Sequence, residues 1–192
     1  MRRLGASMGI ALLASLAATS ASAQPSDRAG SERAHCVAIA RAAITAAEQA
    51  WGEVERRDPV VPDDASAHAE LRLARTALEA LIARYDALFR CADPAASVEA
   101  EVRAARALSR YAALLRRYAP VDAMLAAGAA AVECDALGRE VVAVRIARST
   151  RVTSDFAVSA WGMLDRTPRP AVDRCGARAG ITVEDADFVP PR

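Results

Sequence analysis

Chemistry in this 192-residue chain would have to come from a short list of side chains: two histidines, four cysteines, 24 carboxylates and 25 basic residues, every one of them arginine. A carboxylate-bridged di-iron bundle needs Glu-x-x-His pairs on two helices, with further inward glutamates. Glu32-Arg33-Ala34-His35 is the one such pair. Placed beside Cys36 at the beginning of its helix, His35 reads as a solvated surface residue. Covalent haem would need Cys-x-x-Cys-His, which does not occur. Non-covalent haem would draw axial ligands from His35, His68, Met124 and Met163. His68, however, stands among Asp63, Asp64 and Glu70 in a polar first turn, where surface electrostatics accounts for it. The chain also lacks Gly-x-Ser-x-Gly, a glycine-rich phosphate loop and His-Glu-x-x-His. No cofactor is expected. The leading function is therefore binding without catalysis, with a haem- or metal-containing bundle as the alternative and an unrecognised hydrolase third.

Binding would have to come from arginine. Arg103, Arg106, Arg110 and Arg117 follow spacings of three, four and seven, which places them as one stripe on a helix, flanked by Arg116. Arg139, Arg145, Arg148 and Arg151 make a second basic region. Two readings of the stripe are open. It is either an outer face balanced by acids such as Glu48, Glu55, Glu70 or Glu79 on adjacent helices, or a site for an anionic envelope component or another envelope protein. The planar, bidentate guanidinium suits phosphate or carboxylate. Most of the carboxylates fall at surface spacings, such as Glu53 with Arg57, Glu99 with Arg103 and Glu140 with nearby arginines. Each such solvated pair is worth about a few tenths of a kcal/mol.

The cysteines, Cys36, Cys91, Cys134 and Cys175, are widely spaced and include no Cys-x-x-Cys. An even count of this kind reads as two disulfides in an oxidising compartment rather than as a metal site. The N-terminus points the same way. Arg2 and Arg3 precede an apolar run from Ile10 to Ala18, and Ala21-Ser22-Ala23 offers the small residues of a cleavage site. Residues 1–23 are thus expected to be a secretory signal peptide, too short in its apolar part for a membrane span, and the destination periplasmic or extracellular. No transmembrane segment is expected after cleavage. Removal takes away two arginines and no acid, turning the formal charge from +1 to −1. Such a balance gives no reason to expect nucleic acid as a partner.

Something must position these residues, and the composition says helices. Alanine supplies 49 residues, while glycine and proline number nine each and aromatics make up 4%. One apolar stripe runs through Val37, Ala40, Ile44, Ala47, Trp51 and Val54, between about Ser31 and Arg57. A second runs through Leu71, Ala74, Leu78, Leu81, Tyr85 and Leu88. Residues 58–64, with two prolines, separate them, and Asp63 or Asp64 is placed to cap the second helix. Asp93 caps a third helix that has Pro94 at its first position and a stripe through Val98, Val102, Ala105, Leu108, Ala112 and Leu115, ending near Ala119-Pro120. Helical spacing then persists from Met124 to Met163. A single helix there would outrun its partners, so a break is expected at Gly138 or at Ser149-Thr150.

The expected fold is all-α, an antiparallel bundle of four or five helices over residues 24–166 with two disulfides. Residues 167–192, rich in proline, are expected as an irregular, extended tail fastened by Cys175. An up-down hairpin of the first two helices puts Cys36 and Cys91 at the same end, which predicts the pairing Cys36–Cys91 and leaves Cys134–Cys175. Two short echoes also occur: Ala50-Trp51-Gly52 with Arg56 resembles Ala160-Trp161-Gly162 with Arg166, and Arg84-Tyr85 resembles Arg110-Tyr111. Neither has a sustained period, and each tryptophan reads as a large ring filling a thin alanine core.

Overall fold

The computed structural model describes residues 25–57, 64–118, 123–179 and 181–190. Residues 1–23, the prolines after Asp58 and the break at Ala119-Pro120 lie outside the described residues. The chain is all-α: α1 Pro25–Glu55, α2 Asp64–Phe89, α3 Pro94–Tyr118, α4 Ala123–Thr150, α5 Asp155–Arg166 and α6 Arg169–Ala179, followed by a 3-10 turn at Asp185–Phe188. The heptad stripes became the buried faces. Val37, Ala40, Ile44 and Trp51 of α1 meet Leu71, Ala74, Leu78, Leu81, Tyr85 and Leu88 of α2. Cys36 bonds Cys91 and, farther along, Tyr85 of α2 reaches Glu48 of α1, so the two helices run antiparallel.

Helix α3 is central. Its Ala96, Ala100, Ala104, Ala107 and Tyr111 join the α1–α2 core, while Val98 and Val102 enter a second core with Val141, Val144, Leu164 and Trp161 from α4 and α5. An alanine-lined helix can be approached closely on several sides. The most extensive helix pairing is that of α3 with α4. Its N-terminus is capped as the sequence predicts, with Ala96 N–H donating to Asp93 Oδ1 at 2.8 Å.

Both disulfides form with the predicted partners, Cys36–Cys91 across α1 and α2 and Cys134–Cys175 across α4 and α6. Each core cluster thus carries one bridge and one tryptophan. The Trp-Gly echo has a local structural counterpart as well. Trp51 and Trp161 are both buried, and in each case the arginine four residues after the glycine lays its guanidinium beside that glycine. Arg56 Nη1 stands 3.9 Å from where a Cβ on Gly52 would be, and Arg166 Nη1 stands 3.3 Å from that of Gly162.

The break after Pro120 falls at Thr150, not at Gly138. The chain reverses through Arg151, in the left-handed region at φ 56°, and Ser154 caps α5 by accepting from Ala157 N–H. Gly138 stays helical because its missing side chain serves packing: a Cβ there would lie 3.1 Å from Ile181 Cδ1. Gly176 is still tighter, since its Cβ would meet the Ile181 carbonyl oxygen at 2.7 Å. The tail is accordingly less irregular than expected, and α6 makes a sixth helix. Two of its four prolines, Pro168 and Pro170, stand just before and within the first turn of α6, where a missing N–H removes no helix bond. Only from residue 181 onward is the backbone irregular. It is pinned by two members of the second basic region, since Arg145 bonds the Thr182 carbonyl and the Asp187 carboxylate and Arg148 bonds the Ala186 carbonyl, and by Arg169 of α6, which lies 3.6 Å over the Phe188 ring.

Candidate functional site

Three of the four stripe arginines line one cleft. Arg103, Arg106 and Arg110 of α3 border a space of about 300 Å³ together with Glu48 and Trp51 of α1, Leu81 and Tyr85 of α2, and Phe156 at the start of α5. The α-helical spacing of three and four keeps the arginines on one face. The parallel run of α1 beside α3 brings acids to meet two of them. Arg103 Nη1 donates to Glu48 Oε1 at 2.7 Å, and Arg110 Nη1 stands 3.5 Å from Glu55 Oε2. Arg117, two turns beyond Arg110, is exposed and takes no part in the lining.

The three arginines are not equivalent. Arg103 is held from two sides, since its Nε also lies 3.0 Å from Glu99 Oε1, and its guanidinium carbon sits 5.3 Å from the centre of the Phe156 ring. It is part of the wall. Arg106 is exposed and gives one nitrogen to Ser159 Oγ at 2.5 Å. Arg110 is also exposed, and its contact with Glu55 is at the outer limit of a hydrogen bond. With five N–H donors in each guanidinium, both retain most of their donor capacity. The lining therefore carries three positive charges against the one of Glu48, and the two outer arginines are the ones able to engage an anion.

The rest of the lining is aromatic and aliphatic in type but mostly covered, with Trp51, Leu81 and Tyr85 at most 3% exposed. Trp51 is 2% exposed and its indole N–H has no acceptor among the described residues, while its ring meets Tyr111 edge-on at 6.2 Å. A buried unpaired donor is uncommon in a native structure. Tyr85 donates its hydroxyl to Glu48 Oε1 at 2.8 Å, and burial, reinforced by that bond, pushes its ionisation well above the usual tyrosine range. It stays a neutral donor. Glu48 Oε1 thus accepts from both Tyr85 and Arg103.

The stripe is legible in the sequence, but its aromatic partners are not. Trp51 and Tyr85 already sit on the apolar stripes of their helices, so their types and spacing look the same whether they fill a core or edge a cleft. Glu48, one of the acids expected on adjacent helices, pairs with Arg103. Two acids expected on solvated faces are buried. Glu99 is 3% exposed and held by Arg41 and Arg103. Glu140 is 6% exposed, its Oε2 has no hydrogen-bond partner, and burial pushes its carboxyl up to about 7 against the pull of Arg166. The physical reason is the same for both: α3 and α4 are covered on more than one side, so a position opposite the apolar stripe still meets a neighbouring helix.

Elsewhere, no group of three or more His, Cys, Asp or Glu among the described residues has a metal-holding arrangement, and none of the described helices is long and apolar enough to cross a membrane. Comparison with family models, curated proteins and solved structures finds no match to the chain, so its own residues are what bear on the cleft's ligand.

Proposed function

We propose that the chain is an exported, non-enzymatic binding protein whose ligand is a small anion with an apolar or aromatic body, taken into the cleft between α1, α2, α3 and α5. The observation that carries this reading is the pairing of two exposed guanidiniums, Arg106 and Arg110, with a lining that includes Trp51 and Phe156. Two disulfides and the basic-then-apolar pattern of residues 1–23 support export to the periplasm or beyond. An envelope component bearing a carboxylate or phosphate fits the charge.

Calorimetric titration with phenylacetate and phenyl phosphate at low salt tests it. Saturable binding that weakens with added salt and is lost in the Arg106→Gln/Arg110→Gln double variant is the expected result, since exposed charge attraction is screened over about 8 Å at physiological ionic strength. Arg117→Gln should bind as the parent does. Equal binding by parent and double variant, or none by either, would reject the cleft as the site.

A further inference from the structure

A second recess, of about 330 Å³, opens where α4 passes the α5–α6 turn, and Glu140 of α4 is part of its lining. The wall is otherwise largely apolar, with Leu137, Pro168, Ala171 and the Cys134–Cys175 bridge. Two carboxylates, Glu140 and Glu133, face it against a single guanidinium, Arg174 of α6. We propose that this recess is a binding site for the primary ammonium group of an alkylamine, with Glu140 as the counter-ion and the apolar wall holding the alkyl chain.

The charged groups around Glu140 leave that role open. Glu133 is committed to Arg116 of α3. Arg166, at the end of α5, attracts the Glu140 carboxylate electrostatically but folds its guanidinium back beside Gly162. From α3 the lining contributes only Ser109, and Arg174 on α6 is exposed. A carboxylate this covered and incompletely hydrogen-bonded is costly in its charged form, and a hydrogen-bonding cation relieves the cost. The protein has no lysine anywhere in its sequence, so no side chain of its own can supply such an ammonium. An anion would meet the buried Glu140 carboxylate here, which separates this recess from the arginine cleft.

Titration of the whole protein with n-butylammonium, in an amine-free buffer at about pH 8, reads the site directly, because the carboxylate is then ionised while the amine remains protonated. Saturable binding is expected at that pH. It should weaken by roughly tenfold to a hundredfold in Glu140→Gln, the range that a charge-assisted hydrogen bond is worth. It should weaken likewise in the parent at about pH 5, where the carboxyl is protonated. The neutral glutamine keeps the shape of the side chain and removes a buried charge, so this variant is expected to fold. Arg106→Gln/Arg110→Gln should bind the amine as the parent does, which keeps this test independent of the anion cleft. Nα-acetyl-lysine methylamide as a parallel ligand distinguishes the sources: tighter binding than butylammonium assigns the site to a lysine side chain of a polypeptide, weaker binding to a free amine. Absence of saturable butylammonium binding, equal binding by Glu140→Gln, or equal binding of n-butanol would overturn the proposal.

Discussion

One carboxylate oxygen of Glu48 accepts from both the Tyr85 hydroxyl, at 2.8 Å, and Arg103 Nη1, at 2.7 Å, so a single atom on α1 ties α2 to α3 beside the cleft. Arg103 in turn shares the buried Glu99 with Arg41. These five side chains from three helices form a connected network, and in such networks the loss of one member costs more than its own bond.

Removing Arg103 should therefore be more damaging than removing Glu48. Arg103→Gln leaves Glu99 buried with one guanidinium fewer, at an expected cost of about 2–3 kcal/mol, toward the low end for a broken buried pair because Arg103 is partly exposed. Glu48→Gln keeps an acceptor for Tyr85 and should cost about 1 kcal/mol. Urea unfolding of both single variants and the double variant, read as a mutant cycle, measures this. Strict additivity would dissolve the network into independent pairs.

Glu140 makes stability depend on pH in a defined direction. Its carboxyl is raised to about 7 by burial, so the folded protein holds this proton over a range in which the unfolded chain has released it. Folding is favoured below the ordinary glutamate value and penalised as pH climbs from about 4.5 to about 7, levelling off above that. Glu140→Gln should thus stabilise the protein by about 2–3 kcal/mol at about pH 8 and by little at about pH 4.5. A stability difference that does not change between those pH values would place the carboxylate in contact with water or a partner.

Asp187 works in the opposite sense. Burial would raise its pKa, but hydrogen bonds from Arg145 and from the Glu184 backbone N–H outweigh it, and the net direction is down. The clamp on residues 181–190 is then fully present above the unfolded aspartate value of about 3.9 and is lost as pH falls through the lower folded value. Asp187→Asn should release this segment at neutral pH, seen as faster hydrogen exchange confined to residues 181–190, with the α1–α2 core unaffected. Unchanged exchange in the variant would mean that apolar contacts of Ile181 and Phe188 suffice to hold the tail.

The two disulfides should differ in what they hold. Cys36→Ala/Cys91→Ala removes the covalent tie from the hairpin of α1 and α2, and a loss of about 2–4 kcal/mol is expected. Cys134→Ala/Cys175→Ala should chiefly free α6 and the residues after it, which also rely on the Arg145 and Arg148 contacts. Limited proteolysis separates the two cases: early cuts in α6 for the second variant, and cuts spread over α1 and α2 for the first. Identical digestion patterns would show that the chain unfolds as one unit whichever bridge is lost.

Legible in the sequence were the first three helices, the helical character of residues 124–163 and the disulfide pairing that an up-down hairpin favours. Those follow from local rules: apolar residues every three or four positions, a capping aspartate before Pro94, and an up-down hairpin that puts Cys36 beside Cys91. The arginine stripe was legible for the same reason, because residues on one helix face are set by the helical repeat alone. Tertiary structure decided the rest. Whether Gly138 would break a helix depended on Ile181, forty-three residues away, packing where its side chain would have been. Whether Pro168 and Pro170 would stop a helix or begin one depended on which turn they occupied. Above all, the burial of Glu99 and Glu140 and the meeting of Trp51, Tyr85 and Phe156 with the arginines came from how many neighbours α3 and α4 acquire. A helix's own sequence describes the pattern on its surface, and the number of sides covered is set by elements far away in the chain.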